Sequence, residues 1–281
     1  MSPETPPLDR ETPACVACGG DDLENLFTKI VLDRHEARYS RCRRCRSLQV
    51  SRVGWLAEAY SDAIRQLDTG AAQRCILCGL YIRAMRQCGL LRRGQKVLDF
   101  GSGSGLLIRL LRDQVFDAFG YDKYVTSQLV PEFTLRELSR STHFGADAVT
   151  AFEVFEHLVD PREALATIAA NLAPDGIVLF RTELYQADKH GPDWEYLYTA
   201  HGQHINFFSA QGLTELGRPL GLTPVFLPFG FHLYVRQGRS VGAFRRLMLF
   251  KLAAMNFVLA RMIGLCRFDQ ARSDARQLTQ R

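Results

Sequence analysis

Apolar residues between positions 94 and 237 fall into short blocks whose spacing alternates between strand and helix periods. Lys96 to Phe100 is a brief apolar run that reads as a buried strand. Gly101-Ser102-Gly103-Ser104-Gly105 follows as a tight turn, Leu106 to Asp113 takes up a helical period, and Ala118 to Tyr121 is a second strand, so the stretch predicts a βαβ unit. Farther on, Pro161 opens a helix to Leu172, Pro174-Asp175-Gly176 marks a turn, and Ile177 to Phe180 predicts a buried strand. Ser209 is placed to cap a helix to Leu220, and Val225 to Phe229 with His232 to Val235 predict an antiparallel hairpin. Between 125 and 147 no clear third strand emerges. Upstream, residues 55–93 read as helices broken at Asp68-Thr69-Gly70, one of them covering 71–88. Val241 to Cys266 predicts an apolar helix interrupted by Lys251, Asn256 and Arg261. Those interruptions argue against a membrane span. At 100° per residue they spread around the helix, which suits docking on the domain or on another subunit and leaves peripheral membrane contact as the other use.

Composition fits this picture of a folded domain with appendages. Of 281 residues, 47% are hydrophobic and 23% charged, which excludes disordered and multispanning chains. The charge of +5 permits an anionic partner without resembling a dedicated nucleic-acid binder. The proline-rich start lacks the apolar core of a secretory signal, so the expectation is a cytoplasmic protein with a disordered tail at 1–13. Cysteines there are read as metal ligands before disulfides.

Two pairs have that spacing. Cys15-Val-Ala-Cys18 and Cys42-Arg-Arg-Cys45 form a CxxC…CxxC pattern, in which two knuckles supply four thiolates to a closed structural Zn²⁺ shell. The intervening apolar and aromatic residues would supply short strands. Arg41, Arg43, Arg44 and Arg46 are placed to offset the negative charge of a four-thiolate site, or alternatively to contact nucleic-acid phosphate. Cys75, Cys78, Cys88 and Cys266 read as packing residues.

The glycine turn identifies a ligand class through its neighbours. Asp99, two residues before Gly101, would crowd a pyrophosphate but can accept a hydrogen bond from an amino-acid ammonium. Leu106 occupies the third-glycine position of the dinucleotide fingerprint and breaks it. Asp122, twenty-one residues after Gly101, ends the second strand where a carboxylate can accept ribose hydroxyls. A nucleoside bearing an amino acid and no phosphate is S-adenosylmethionine.

This segment resembles motif I of the class I S-adenosylmethionine-dependent methyltransferases. Residues 148–161, AVTAFEVFEHLVDP, resemble the strand-four motif of that superfamily, and residues 173–182, APDGIVLFRT, its turn into strand five. The resemblance spans roughly residues 60–237 and implies an α/β, doubly wound, seven-stranded Rossmann-like domain. It would carry a small N-terminal zinc-ribbon-like module and a C-terminal helical extension. The expected organisation is a zinc-binding module at 14–50, a helical cap at 51–93, the methyltransferase domain at 94–237 and the extension at 238–281. Cofactor contacts are expected from Asp99, Gly101, Ser102, Gly103, Asp122, Phe152 and Glu153, with Arg74 as a candidate for the methionine carboxylate.

Leu184 to Phe208 combines aromatic and polar residues in a way that suits a substrate lid. His157, just past strand four, and His204, within that segment, are the candidate catalytic residues for removing an acceptor proton. With the zinc module, His157 and the run Gln203-His204-Ile205-Asn206-Phe207-Phe208-Ser209, the chain resembles bacterial sugar C-methyltransferases and related type 11 and 12 methyltransferases. Gln203 stands where that family has an acid, and its large C-terminal domain is absent. The resemblance therefore implies methylation of a small molecule or saccharide on oxygen or carbon. The alternative is an RNA methyltransferase that binds nucleic acid through the zinc module, although no Asn/Asp-Pro-Pro-aromatic motif follows Ala151.

Overall fold

The computed structural model describes residues 10–11, 13–60 and 70–264. The predicted break at Asp68-Thr69 and Cys266 lie outside the described residues, as does most of the tail at 1–13. Strand β1 (Arg10–Glu11) pairs antiparallel with β5 (Arg52–Val53). Three strands of the N-terminal sheet, β2 (Leu23–Val31), β3 (His35–Cys42) and β4 (Leu48–Val50), are antiparallel neighbours, and β11 (Asn206–Phe207) joins the β4 edge. The β2–β3 turn places Leu32 and Asp33 at φ of 50° and 58°, the left-handed conformation of tight hairpin turns.

The larger, seven-stranded sheet has the order β12-β13-β10-β9-β6-β7-β8. Its members are β6 (Lys96–Phe100), β7 (Asp117–Tyr121), β8 (Thr134–Leu135), β9 (Ala146–Phe152), β10 (Leu172–Arg181), β12 (Leu222–Phe226) and β13 (Phe231–Arg236). Strands β9, β6, β7 and β8 run parallel, and β12–β13 is an antiparallel hairpin. Val97 and Leu98 are fully buried, as expected for a central parallel strand covered on both faces. The helices are α1 (Leu56–Ala59), α2 (Ala71–Gln87), α3 (Leu106–Asp113), α4 (Pro161–Ala170), α5 (Ala210–Gly217) and α6 (Ala243–Met262).

Several elements differ from expectation. A third strand does exist as β8, but it is only two half-buried residues after a 3-10 turn at Pro131–Phe133, too short to leave a periodic signature. Pro174-Asp175-Gly176 belongs to β10 and is not a separate turn. There Gly176 is required by proximity, because a Cβ would lie 2.8 Å from the Ala146 carbonyl oxygen. The helix from Pro161 stops at Ala170, with Asp160 Oδ1 accepting from the amides of Arg162 (3.1 Å) and Glu163 (3.0 Å) at its start.

The chain divides into two compact units. One comprises residues 1–64, 152–170 and 179–237. The other comprises 65–151, 171–178 and 238–281. In the first, one core joins Tyr39, Leu48 and Val50 of the N-terminal sheet to Trp55, Leu56, Tyr185, Leu197, Ile205 and Phe207. The proposed lid at 184–208 is therefore anchored: its apolar side chains are core residues, and burying them outweighs the freedom a lid requires. In the second unit, α2 packs against α3 and α6.

Candidate active site

In the second unit the glycine turn is a preformed cradle. Gly101, Gly103 and Gly105 have φ of 77°, 51° and 85°, conformations that side chains resist. The amides of Gly101 and Ser102 both donate to the Tyr121 carbonyl (2.8 and 3.1 Å), tying the turn to the end of β7. Asp122 Oδ2 accepts from the Gly103 amide (2.9 Å), and Oδ1 accepts from those of Tyr124 and Val125 (both 2.9 Å). Oδ2 retains room for a further donor. Two residues not expected from sequence shape the cradle. Gly120 lets Ser102 approach, since a Cβ there would lie 2.7 Å from Ser102 Oγ, and Ser127 Oγ donates to the Ser104 carbonyl (3.0 Å).

The cradle fits the amino-acid and nucleoside parts of S-adenosylmethionine. Asp99 is 5% exposed and accepts from Thr150 Oγ1 (2.6 Å). Burial pushes its carboxyl up to about 7, with Thr150 opposing and the Asp122 charge adding to the rise. An incoming ammonium would reverse that rise. Ser102 Oγ is buried without a hydrogen-bond partner among the described residues, and the space a Cβ would take at Gly103 is open. Arg74 is half-buried in the first turn of α2.

The first unit holds the second cluster. Phe152 ends β9 edge-to-face with Phe231, ring centroids 5.8 Å apart. Glu153 follows at φ 53°, a conformation unusual for a branched-free side chain outside turns, and pairs with Arg181. A 3-10 turn at Phe155–His157 then presents Glu156 and His157. Asn206 fixes this turn by donating to the carbonyls of Phe155 (3.2 Å) and Leu158 (2.7 Å), and the Ile205 amide donates to the Glu156 carbonyl (2.9 Å).

These contacts bring the two candidate histidines together. Their rings are 4.9 Å apart at 69°. His157 Nδ1 lies 3.2 Å from Tyr60 Oη, and His204 Nδ1 lies 2.8 Å from the Tyr196 carbonyl oxygen. A carbonyl only accepts, so Nδ1 of His204 carries the proton in this contact. Sequence reading missed the third member, Glu156, although it immediately precedes His157. Glu156 is fully buried; its Oε1 accepts from Tyr196 Oη (2.6 Å), and its Oε2 has no hydrogen-bond partner among the described residues. Burial and then the Glu153 charge push this carboxyl up to about 8, against the Tyr196 hydrogen bond and Arg181. Donor atoms of Glu156, His157 and His204 all lie within 4.8 Å of one another. Gln203 is turned to structure, donating to the Ala59 carbonyl (2.7 Å).

The four N-terminal cysteines converge as their spacing predicts. Cys15 Sγ is 3.5 Å from Cys45 Sγ, and Cys18 Sγ is 3.5 Å from Cys42 Sγ, close to the ~3.8 Å edge of a tetrahedron with 2.3 Å metal–sulfur bonds. Gly19 (φ 73°) and Arg46 (φ 62°) make the left-handed bend that closes each knuckle. Burial pushes the Cys18 thiol up to about 11, and the Cys15 thiol with burial raises that of Cys45, so the thiolate form needs a cation among them. Of the surrounding arginines, Arg41 pairs with Glu24 (2.9 Å), Arg43 with Asp22 (3.7 Å) and Glu24 (3.8 Å), and Arg44 with Glu215 (3.4 Å).

Comparison with known proteins gives a consistent family. The methyltransferase domain family matches residues 71–226. A ubiquinone biosynthesis O-methyltransferase of Alkalilimnicola ehrlichii is 30% identical over 103 residues, 32% of this chain and 42% of that one; its counterpart in Idiomarina loihiensis is 29% identical over the same shares. The chain thus spans less than half the length of these relatives. Among solved structures, an O-methyltransferase family protein of Burkholderia thailandensis has a TM-score of 0.49 at 15% identity, covering 66% of this chain and 64% of that one. A Haloferax volcanii methyltransferase in complex with the Trm112 activator has a TM-score of 0.43 at 18% identity, covering 62% and 96%.

Proposed function

Because the chain belongs to the methyltransferase domain family, we propose that it transfers a methyl group from S-adenosylmethionine to a hydroxyl or an acidic carbon of a small molecule or saccharide. The observation that carries this reading is the convergence of Glu156, His157 and His204, whose donor atoms lie within 4.8 Å of one another around a His204 ring oriented by the Tyr196 carbonyl. The O-methyltransferases to which the chain is similar favour oxygen as the acceptor atom.

When bound, the cofactor supplies an electrophilic methyl group on a sulfonium, from which the neutral thioether leaves without acid assistance. Asp99 would accept the ammonium of its amino-acid part, Asp122 the ribose, and the Gly101–Gly105 backbone would admit the chain between them, with Ser102 and Arg74 as further contacts. His204 would take the acceptor proton as the acceptor's new bond to the methyl carbon forms, its Nδ1–H held by the Tyr196 carbonyl. His157, oriented by Tyr60, would position the acceptor or share the proton. The four cysteines would hold a structural Zn²⁺ with no open coordination position. An RNA acceptor is not favoured, since Arg41, Arg43 and Arg44 already pair with carboxylates that phosphate would have to displace.

The test is incubation with methyl-labelled S-adenosylmethionine and extract, followed by separation of nucleic acid, protein, lipid and small-molecule or saccharide fractions. Label in the last fraction, reduced about 10²-fold or more in kcat by His204→Ala with cofactor affinity intact, supports the reading. Label in RNA, or full activity of His204→Ala, overturns it.

A further inference from the structure

Helix α6 has two apolar faces, and the fold uses one. Leu249, Ala253, Asn256 and Ala260 form a single buried stripe, and α6 packs on α2. Asn256 belongs to that docked stripe: its amide donates to the Leu80 carbonyl (3.3 Å) and to Gln87 Oε1 (3.0 Å). Its polarity therefore does not interrupt the far side of the helix, as the sequence pattern suggested. With Leu249 as origin, Leu247, Val258, Phe244, Met262 and Met255 fall between about 160° and 240° around the axis. All five are more than half exposed, from 51% at Leu247 to 78% at Met262. Lys251 is the one polar residue in that sector.

The charge around this face is one-sided. Residues 71–94 and 238–264, which contain α2 and α6, include ten lysines and arginines and no aspartate or glutamate. The whole chain carries only +5, so its basic excess is concentrated in these segments and the remainder is net acidic. A second copy laid face to face would bring like charges together. An anionic bilayer satisfies both features, taking the apolar side chains at the acyl boundary and the guanidinium and ammonium groups at the headgroups, to which Lys251 can reach by its long stem.

We propose that α6 is an interfacial anchor that lies in the plane of an anionic membrane. It does not span one: no described helix is long and apolar enough to cross.

Sedimentation of the full chain with phosphatidylcholine vesicles, with and without phosphatidylglycerol, tests this directly. The expected result is binding to the phosphatidylglycerol vesicles, weakened by salt, and lost by about tenfold or more in Phe244→Ser/Leu247→Ser/Met262→Ser, whose thermal unfolding should match the parent because these side chains are exposed. A second readout does not depend on that variant: Met255→Cys carrying a polarity-sensitive fluorophore should shift to the blue on adding the same vesicles. Equal binding to neutral and anionic vesicles, binding indifferent to the triple substitution, or no fluorophore shift overturns the proposal. A dimer dissolved by the triple substitution in a protein that ignores vesicles assigns the face to a second copy instead.

Discussion

Glu156 offers a sharp test because its carboxyl is fully buried and its protonation is tied to folding. The ordinary value of 4.5 rises to about 8 in the folded protein, mainly through burial. Between those values the folded state holds a proton that the unfolded chain has released, so stability must fall as pH rises. The contribution is fully present below about 4.5 and is lost by the time pH passes 8. For one proton the slope is about tenfold in the folding equilibrium constant per pH unit, which summed over the window is on the order of a few kcal/mol. Asp99 acts in the same direction, from 3.8 to about 7. The two windows overlap, so the difference between the parent and a Glu156 variant isolates the share of this carboxyl.

Glu156→Gln removes the titration while keeping an oxygen to accept the Tyr196 hydroxyl. Both tryptophans of the chain, Trp55 and Trp194, belong to or pack against the core of the unit that contains Glu156, so their fluorescence reports the relevant unfolding. Urea unfolding of zinc-loaded protein at a series of pH values should show the parent losing more stability than the variant as pH rises toward 8, the difference between the two shifting steadily in the variant's favour. Parallel curves for the two proteins would mean that Glu156 is ionised in the folded state at neutral pH, and the burial argument would fail.

Three other outcomes follow from the geometry. Asp122→Ala should raise the Kd for S-adenosylmethionine about tenfold or more by calorimetry, since it removes a charge-assisted acceptor and loosens the Gly103 turn; an unchanged Kd removes the ribose role. Ser209→Ala should cost about 1–2 kcal/mol in chemical unfolding, because the hydroxyl accepts from the Gly212 amide at the start of α5 and donates to the Cys45 carbonyl. Cys42→Ser, or a strong chelator, should lower kcat while leaving cofactor affinity within about twofold; zinc analysis of the purified parent should give one ion per chain, and a metal-free parent that is stable and active would sink the zinc assignment.

What could be read from the sequence was local in chain position. The βαβ unit, the glycine turn, the cap at Ser209 and the CxxC knuckles are each encoded within a few residues, and each formed as their spacing requires. Three features escaped because their causes are remote. Strand β8 is set by pairing Gly120 with Thr134 and not by its own pattern. Glu156 does not stand out beside His157, because its burial depends on Ile205 and Asn206, some fifty positions away, which pin its turn into the interior. The aromatic residues of 184–208 suggested a substrate platform, yet Tyr185 and Phe207 are buried in one core with Tyr39 and Trp55, far away in sequence.

That last contact ties the cysteine module to the chemistry proposed for His204. Strand β11 begins two residues after His204 and extends the N-terminal sheet, pairing Asn206 with Gln49 and Phe207 with Leu48. Two residues further, the Ser209 amide donates to Ser47 Oγ (3.1 Å) and its hydroxyl to the Cys45 carbonyl, inside the second knuckle. Gln49 in turn accepts from the Val16 amide between the first pair of cysteines (2.9 Å). A closed metal shell at the four thiols would therefore hold the stretch that directly follows His204, and Asn206 in the same strand holds the turn that carries Glu156 and His157. A base that must keep one tautomer and reach one proton needs that rigidity more than it needs further charge. The zinc module is best understood as part of the frame that sets the histidine pair, which is why its loss should appear in turnover before it appears in cofactor binding.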